Sequence, residues 1–206
     1  MIIDDKVDTI ERIRFTNSPD VPVVVIREHL IRYVFAMDRV AGKNILDLGC
    51  GSGYGIYLLS YLANSVSGYD YNEEAINEAR KFPYKCDSCL EIRNLEEDKP
   101  LNNHKHDKFD VIINFETIEH LANPEILLRR VKEVVNENGV IYISTPNDLK
   151  KTDKNKWHKI HFDFYTLFEL IGKIFNDPPK VELWGQDQWG LTKDFTKPYV
   201  IARIEL

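Results

Sequence analysis

The chain has 206 residues, 43% of them hydrophobic, and a formal charge of −6. That length suits one domain with a sizeable core, and the acidic balance counts against broad nonspecific binding to nucleic acid or to an anionic membrane. The start, Met1-Ile2-Ile3-Asp4-Asp5-Lys6, has acids where a secretory leader needs bases, and the longest apolar stretch, residues 21–26, is too short to span a bilayer. A cytoplasmic protein with no membrane partner is expected. Three cysteines do not suggest a disulfide framework, and Cys86 and Cys89 have zinc-knuckle spacing without a second pair nearby, so they read as ordinary thiols.

In chain order, Glu11 and Arg12 precede a segment punctuated by Pro19 and Pro22, and an amphipathic stretch over residues 23–40 reads as a cap or lid helix. Residues 1–43 are therefore the cap segment and 44–206 the core of a single domain. The charges at Glu28, His29 and Arg32 are read as a solvated helix face, with contact to the site as the minority alternative. The chain then passes from an apolar run (Ile45, Leu46, Leu48) into Gly49, Gly51, Gly53 and Gly55, and on to Ile56, Leu58, Leu59 and Leu62 at helical spacing. This is a strand, a bare-backbone turn and a helix, and glycine there lets a ligand approach without a Cβ in the way. It matches neither G-x-G-x-x-G nor a P-loop.

Residues 65–70 form a short strand ending in Asp70, about twenty residues beyond the loop, where a carboxylate meets ribose hydroxyls in a doubly wound sheet. The alternative role is N-cap of the next helix, whose first turn carries Glu73 and Glu74. A third strand is predicted at 90–95 and a charged loop at 96–108. A buried strand at 109–115 follows and delivers Glu116, Glu119 and His120 to the carboxyl edge of the sheet. A helix over 124–137, stopped by Asn138-Gly139, leads to a strand at 139–145. One more helix at 165–175 and two terminal strands at 180–185 and 199–206 complete an alternating pattern that belongs to a parallel α/β sheet.

Together, Leu46-Asp-Leu-Gly-Cys-Gly-Ser-Gly53, Gly68-Tyr-Asp70, Phe109-Asp-Val-Ile112, Phe115-Glu-Thr-Ile-Glu-His-Leu121 and Asn138-Gly-Val-Ile-Tyr-Ile-Ser-Thr-Pro-Asn147 resemble the ordered motifs of small class I S-adenosylmethionine (SAM)-dependent methyltransferases. More narrowly, Glu28-His-Leu-Ile-Arg-Tyr33, Gly53-Tyr-Gly55, Ser144-Thr-Pro-Asn147 and Leu183-Trp-Gly-Gln186 resemble bacterial methyltransferases of glycan and sugar biosynthesis. The resemblance implies a Rossmann-like, doubly wound seven-stranded sheet, mostly parallel with an antiparallel last strand and helices on both faces. It further implies a SAM site at Asp47, Gly49, Cys50, Gly51, Tyr54, Gly55, Asp70, Tyr71, Leu95 and Phe115. Asp70 would meet the ribose and Leu95 the adenine, with the amino-acid end over Gly49 and Gly51. Where such chains commonly end their third strand in Gly-Asp, this one has Asn94-Leu95, and Glu96 or backbone groups are left to meet the adenine amino group.

Methyl transfer from a sulfonium asks the protein to bind, align and exclude water, with base assistance if the acceptor is a hydroxyl. Glu116, Glu119 and His120, at i, i+3 and i+4, are expected on one face of a helical turn, with His161 arriving from the segment after the fifth strand. Glu119, His120 and His161 are the catalytic candidates. Glu116, Glu119, His120 and His161 are also a donor set for a divalent metal such as Mg²⁺ or Mn²⁺, and they resemble the metal site of small-RNA 2′-O-methyltransferases and quinone-pathway O-methyltransferases. A metal site, a metal-free base and a structural role all stay open at this point.

Lys150, Lys151, Lys154, Lys156 and Lys159 lie in a loop at the ligand edge that is either solvated or suited to an anionic acceptor. Trp157 and Trp189 are expected to be partly exposed. The leading expectation is methyl transfer to a hydroxyl or amine of a small polar acceptor, a sugar or glycan precursor. The alternatives are a metal-dependent O-methyltransferase on RNA or a quinol, and a non-catalytic SAM-binding protein. The acidic charge makes nucleic acid the weaker partner.

Overall fold

The computed structural model describes residues 22–151, 155–175 and 180–206. Glu11, Arg12, Pro19 and Lys154, singled out above, lie outside these residues. The described chain opens with helix α1 (Val23–Ala36), continued by a 3₁₀ turn at Met37–Arg39. Strand β1 (Asn44–Leu48), α2 (Tyr54–Leu59), β2 (Ser65–Asp70), α3 (Glu73–Ala79), β3 (Asp87–Ile92) and β4 (Phe109–Phe115) follow. After a 3₁₀ turn at Ile118–His120 come α4 (Pro124–Val134), β5 (Val135–Pro146), α5 (Phe164–Ile174), β6 (Lys180–Asp187), β7 (Gly190–Thr192) and β8 (Tyr199–Glu205).

The sheet order is β3-β2-β1-β4-β5-β8-β6-β7. The first five strands in that order run parallel, and β8 runs antiparallel between β5 and β6. Among the described residues the sheet has eight strands rather than the seven expected, because the chain turns back after Asp187 and adds the three-residue β7 to the β6 edge. The order reverses between β2-β1 and β4-β5, so the carboxyl ends of β1 and β4 open a crevice at the switch point.

The alternation of side chains on β1 and β4 divides the core into two layers. Leu46, Leu48 and Ile112 face α4 and α5, packing with Leu127, Leu128, Val131, Leu167 and Ile171. Ile45, Val111 and Ile113 face α1 and α2, packing with Tyr33, Ala36, Ile56 and Leu59. Each fully buried aliphatic side chain contributes roughly 1.5–3 kcal/mol, which is why strands apolar on both faces lie at the centre of the sheet.

Several boundaries differ from the sequence-based expectation. Helix α4 ends at Val134 rather than at Glu137, because Val135 already pairs with Phe109. The register then jumps to Val111 opposite Val140, and the irregularity absorbs Asn136–Gly139, so Asn138-Gly139 marks a bulge inside a strand. Strand β3 starts earlier, at Asp87, and ends before Leu95. Cys50, Cys86 and Cys89 are free thiols. Among the described residues no helix is long and apolar enough to cross a membrane.

Candidate active site

The glycine loop folds back over the end of β2. The backbone N–H groups of Gly49 and Cys50 both donate to the Tyr69 carbonyl, at 2.8 and 3.1 Å, and the Gly51 N–H donates to Asp70 Oδ2 at 2.9 Å. Gly49 and Gly51 have φ of 84° and 53°. A Cβ on Gly49 would lie 2.1 Å from Thr117 Oγ1, whereas one on Gly51 would meet nothing within 4 Å. Gly49 therefore lets the loop close on the turn after β4, and Gly51 faces open space.

Asp70 is not the cap of α3. Its Oδ1 accepts from Asn72 N–H at 2.9 Å, and Asn72 caps the helix by accepting from Ala75 N–H at 2.8 Å. That leaves Asp70 at the glycine loop, held there by the Gly51 N–H. Tyr71 beside it is exposed.

Asp47 is fully buried at the end of β1, and burial pushes its carboxyl up to about 7. Its Oδ2 accepts from the Tyr33 hydroxyl at 2.8 Å, while Oδ1 has no hydrogen-bond partner among the described residues. Cys50 is buried, and burial raises its thiol well above the ordinary range, so it packs as a neutral group. Tyr54 stands at the start of α2 with its hydroxyl 2.9 Å from His29 Nδ1. Phe115 meets the Tyr33 ring edge-on at 5.2 Å. Leu95 is buried, and its carbonyl accepts from Arg130 at 2.9 Å. Glu96 is already engaged, accepting from Ala122 N–H at 2.6 Å and from Lys159 Nζ at 3.0 Å, so it is a strut between loops.

After β4 the expected helical face does not form. Glu116 adopts φ of 50°, and the next regular turn is the 3₁₀ segment at Ile118–His120. The reversal leaves Glu116 outside the group of ligand atoms that Glu119 and His120 join. Glu116 Oε1 accepts from the Ser144 hydroxyl at 2.7 Å and lies 3.5 Å from Arg32 Nη2. Glu119 is 1% exposed, accepts from Thr145 Oγ1 at 3.2 Å, and is held well above the ordinary carboxyl range by burial and then by the charge of Glu116.

His120 Nδ1 lies 3.1 Å from the Trp157 carbonyl. A carbonyl only accepts, so Nδ1 carries the proton and Nε2 is left as the basic nitrogen. The ring of His158 is 5.0 Å from that of His120. Glu119, His120 and His158 offer ligand atoms all within 4.8 Å of one another. His161 stands outside this group, with Nδ1 3.6 Å from Asp148 Oδ2 and a half-exposed side chain. Of the expected donors, Glu119 and His120 therefore converge, with His158 beside them, while Glu116 turns to Ser144 and Arg32 and His161 turns to Asp148. The sequence carries both histidines three residues apart, and nothing in it selects the inner one.

Sequence reasoning also missed the inward face of α1. Glu28, Arg32 and Tyr33 are buried. Arg32 Nε donates to Gln186 Oε1 at 2.8 Å, its guanidinium lies 4.5 Å from the Tyr199 ring centroid, and the Tyr199 hydroxyl donates to Glu28 Oε2 at 3.2 Å. The available signal was Glu28 and Arg32 at i, i+4, one residue from the face that carries Tyr33 and Ala36.

This edge carries the glycine loop, Asp70 and a cluster of acids and imidazoles, and residues 39–191 match the family model described as "Methyltransferase domain". The chain belongs to that family. Among similar proteins, a probable S-adenosylmethionine-dependent methyltransferase of Mycolicibacterium smegmatis is 33% identical over 70% of this methyltransferase chain and 56% of its own length. A ubiquinone biosynthesis O-methyltransferase of Thiobacillus denitrificans is 28% identical over 64% of this chain and 56% of its own. The chain therefore spans little more than half the length of the curated relatives it matches. A solved structure of the plantazolicin methyltransferase BpumL in complex with SAH (S-adenosylhomocysteine) superposes with a TM-score of 0.65 at 17% identity, covering 86% of this chain and 83% of that one. At that identity the likeness shows the methyltransferase fold. Helix α1 precedes the matched residues, so the family model itself does not speak to Arg32.

Proposed function

We propose that this chain is a SAM-dependent methyltransferase that alkylates a hydroxyl or amine of a small polar acceptor, with a sugar or glycan precursor as the acceptor class. The observation that carries the reading is the open space over Gly51, bounded by Asp70 and with Glu119 and His120 on the same sheet edge. The fit to the cofactor rests on the unpartnered buried Asp47 Oδ1 and on a glycine cradle that a Cβ at Gly51 would enter.

SAM, when bound, supplies a methyl group already activated on a sulfonium. Gly49 and Gly51 bind and position it, Asp70 takes the ribose hydroxyls, and the buried walls from Phe115 and Tyr33 exclude water. His120 Nε2 accepts the proton of a hydroxyl acceptor. Titration calorimetry with SAH tests the cofactor half. A fully folded protein that binds no SAH would overturn it.

A second reading is favoured by the convergence of Glu119, His120 and His158. Three such ligands, one acidic and two imidazole, suit a divalent ion. There they would hold a Lewis acid at the acceptor oxygen, as in a metal-dependent O-methyltransferase acting on a quinol or an RNA hydroxyl. Activity that survives exhaustive chelation sinks this version and leaves the first in place.

A further inference from the structure

A second cluster of metal-ligating side chains lies on the outer strand of the sheet. Cys89 and Glu91, at i and i+2 on β3, share one face of that strand, and His104 reaches them from the loop between β3 and β4. The three offer ligand atoms all within 4.8 Å of one another. Cys86, the partner that the C-x-x-C spacing would name, lies outside the group, with its Sγ 3.5 Å from the Asp87 carbonyl oxygen.

The donors are held from behind. Glu91 Oε2 accepts from Arg93 Nε at 2.9 Å and lies 2.8 Å from Arg93 Nη2, and Glu91 Oε1 faces Cys89 Sγ at 3.2 Å. Arg93 is fixed in turn: its Nη1 donates to the carbonyls of Pro100 and Asn102, and its guanidinium lies 4.1 Å from the Tyr69 ring centroid. The loop that carries His104 is pinned at Asn103, whose Oδ1 accepts from the N–H groups of Lys105 and His106 and whose Nδ2 donates to Ser67 Oγ. A carboxylate oriented by a further side chain and an imidazole on an anchored loop are how metal sites fix their ligands.

The donor set narrows the ion. One sulfur, one imidazole nitrogen and one carboxylate oxygen suit zinc, whereas Mg²⁺ and Ca²⁺ take oxygen. Two donors on one tetrahedral zinc stand roughly 3.3–3.6 Å apart, a gap that rotation of the exposed His104 side chain closes. The cations nearby are already answered, Arg93 by Glu91 Oε2 and Lys105 Nζ by Asp87 at 2.6 Å.

We propose that Cys89, Glu91 and His104 form a zinc site that ties the loop between β3 and β4 to the outer strand. The ion takes the place of the Cys89 thiol proton, which passes to solvent, and the fourth position is open to water. The site is distinct from Glu119, His120 and His158, which offer no sulfur.

That difference in donors decides the test. Co²⁺ bound to a thiolate gives a near-ultraviolet charge-transfer band that oxygen and nitrogen donors do not give. The wild-type chain, fully reduced and titrated with Co²⁺, should develop this band to an end point of one ion per chain, and Zn²⁺ should displace it. Cys89→Ser should lose the band and Cys86→Ser should keep it. His104→Ala, a change at an exposed side chain, should weaken cobalt binding by about tenfold or more. Absence of the band in the wild-type chain would overturn the proposal, and so would a band that survives in Cys89→Ser, which would assign it to another cysteine. Cobalt affinity unchanged in His104→Ala, or cobalt that Zn²⁺ does not displace, would overturn it as well. If Cys89→Ser does not fold, His104→Ala and Cys86→Ser decide, since loss of the band in Cys86→Ser would move the thiolate to Cys86.

Discussion

The ring of Tyr33 fills the space that a side chain at Gly55 would occupy: a Cβ on Gly55 would lie 2.0 Å from Tyr33 Cζ. The same tyrosine donates to Asp47. One aromatic residue thus ties the cap helix, the first turn of α2 and the acid of the glycine loop into a single packed unit.

Gly55→Ala should therefore destabilise the protein through overpacking, by about 1–3 kcal/mol. Gly55 has no left-handed backbone to lose, so the effect is steric. Chemical denaturation of the variant against wild type checks this, and an unchanged midpoint would show that α1 slides without cost.

Asp47 makes stability depend on pH with a definite sign. Its folded-state carboxyl is raised by burial to about 7, above its ordinary value, so the folded chain holds a proton that the unfolded chain releases. That contribution is fully present below the ordinary carboxyl range and is lost as pH rises through about 7. Over that window wild type should lose up to roughly 4 kcal/mol relative to Asp47→Asn. Paired melts of the two proteins at pH 4 to 8 measure it, and parallel curves would refute the assignment.

Glu119→Gln preserves volume and the bond from Thr145 while removing the charge that the buried site can develop. Turnover should fall by about 10²-fold or more, with SAH affinity within about threefold. The readout is SAH release in the presence of a panel of hydroxylated and amine acceptors, alongside calorimetry. Full turnover would remove Glu119 from the chemistry.

For the metal-bearing version, the geometry separates two histidines that the sequence could not. His158→Ala should abolish retention of one divalent ion per chain, and His161→Ala should keep it, because only His158 lies with Glu119 and His120. Elemental analysis after purification without chelator reads this directly. Loss in both variants would place His161 in the ligand set after all.

The sequence by itself determined the alternation of strand and helix, the glycine loop and the acid at the end of β2. Each of these is written in local pattern: apolar runs for central strands, glycines where the backbone takes positive φ or passes another chain closely, and a carboxylate one strand away. The same local pattern misled where distant partners decided the outcome. Phe109 captured Val135 and ended α4 three residues early, and the reversal at Glu116 left that residue outside the group that Glu119 and His120 form with His158. Gln186 and Tyr199, which meet Arg32 from across the sheet, turned a helix face that reads as solvated into a buried one. Burial and the pairing of charges far apart in the chain exist only once the sheet has closed. That is why the fold was legible in the sequence, while the approach of His158 rather than His161 to Glu119 and His120 and the burial of Arg32 were set by tertiary structure alone.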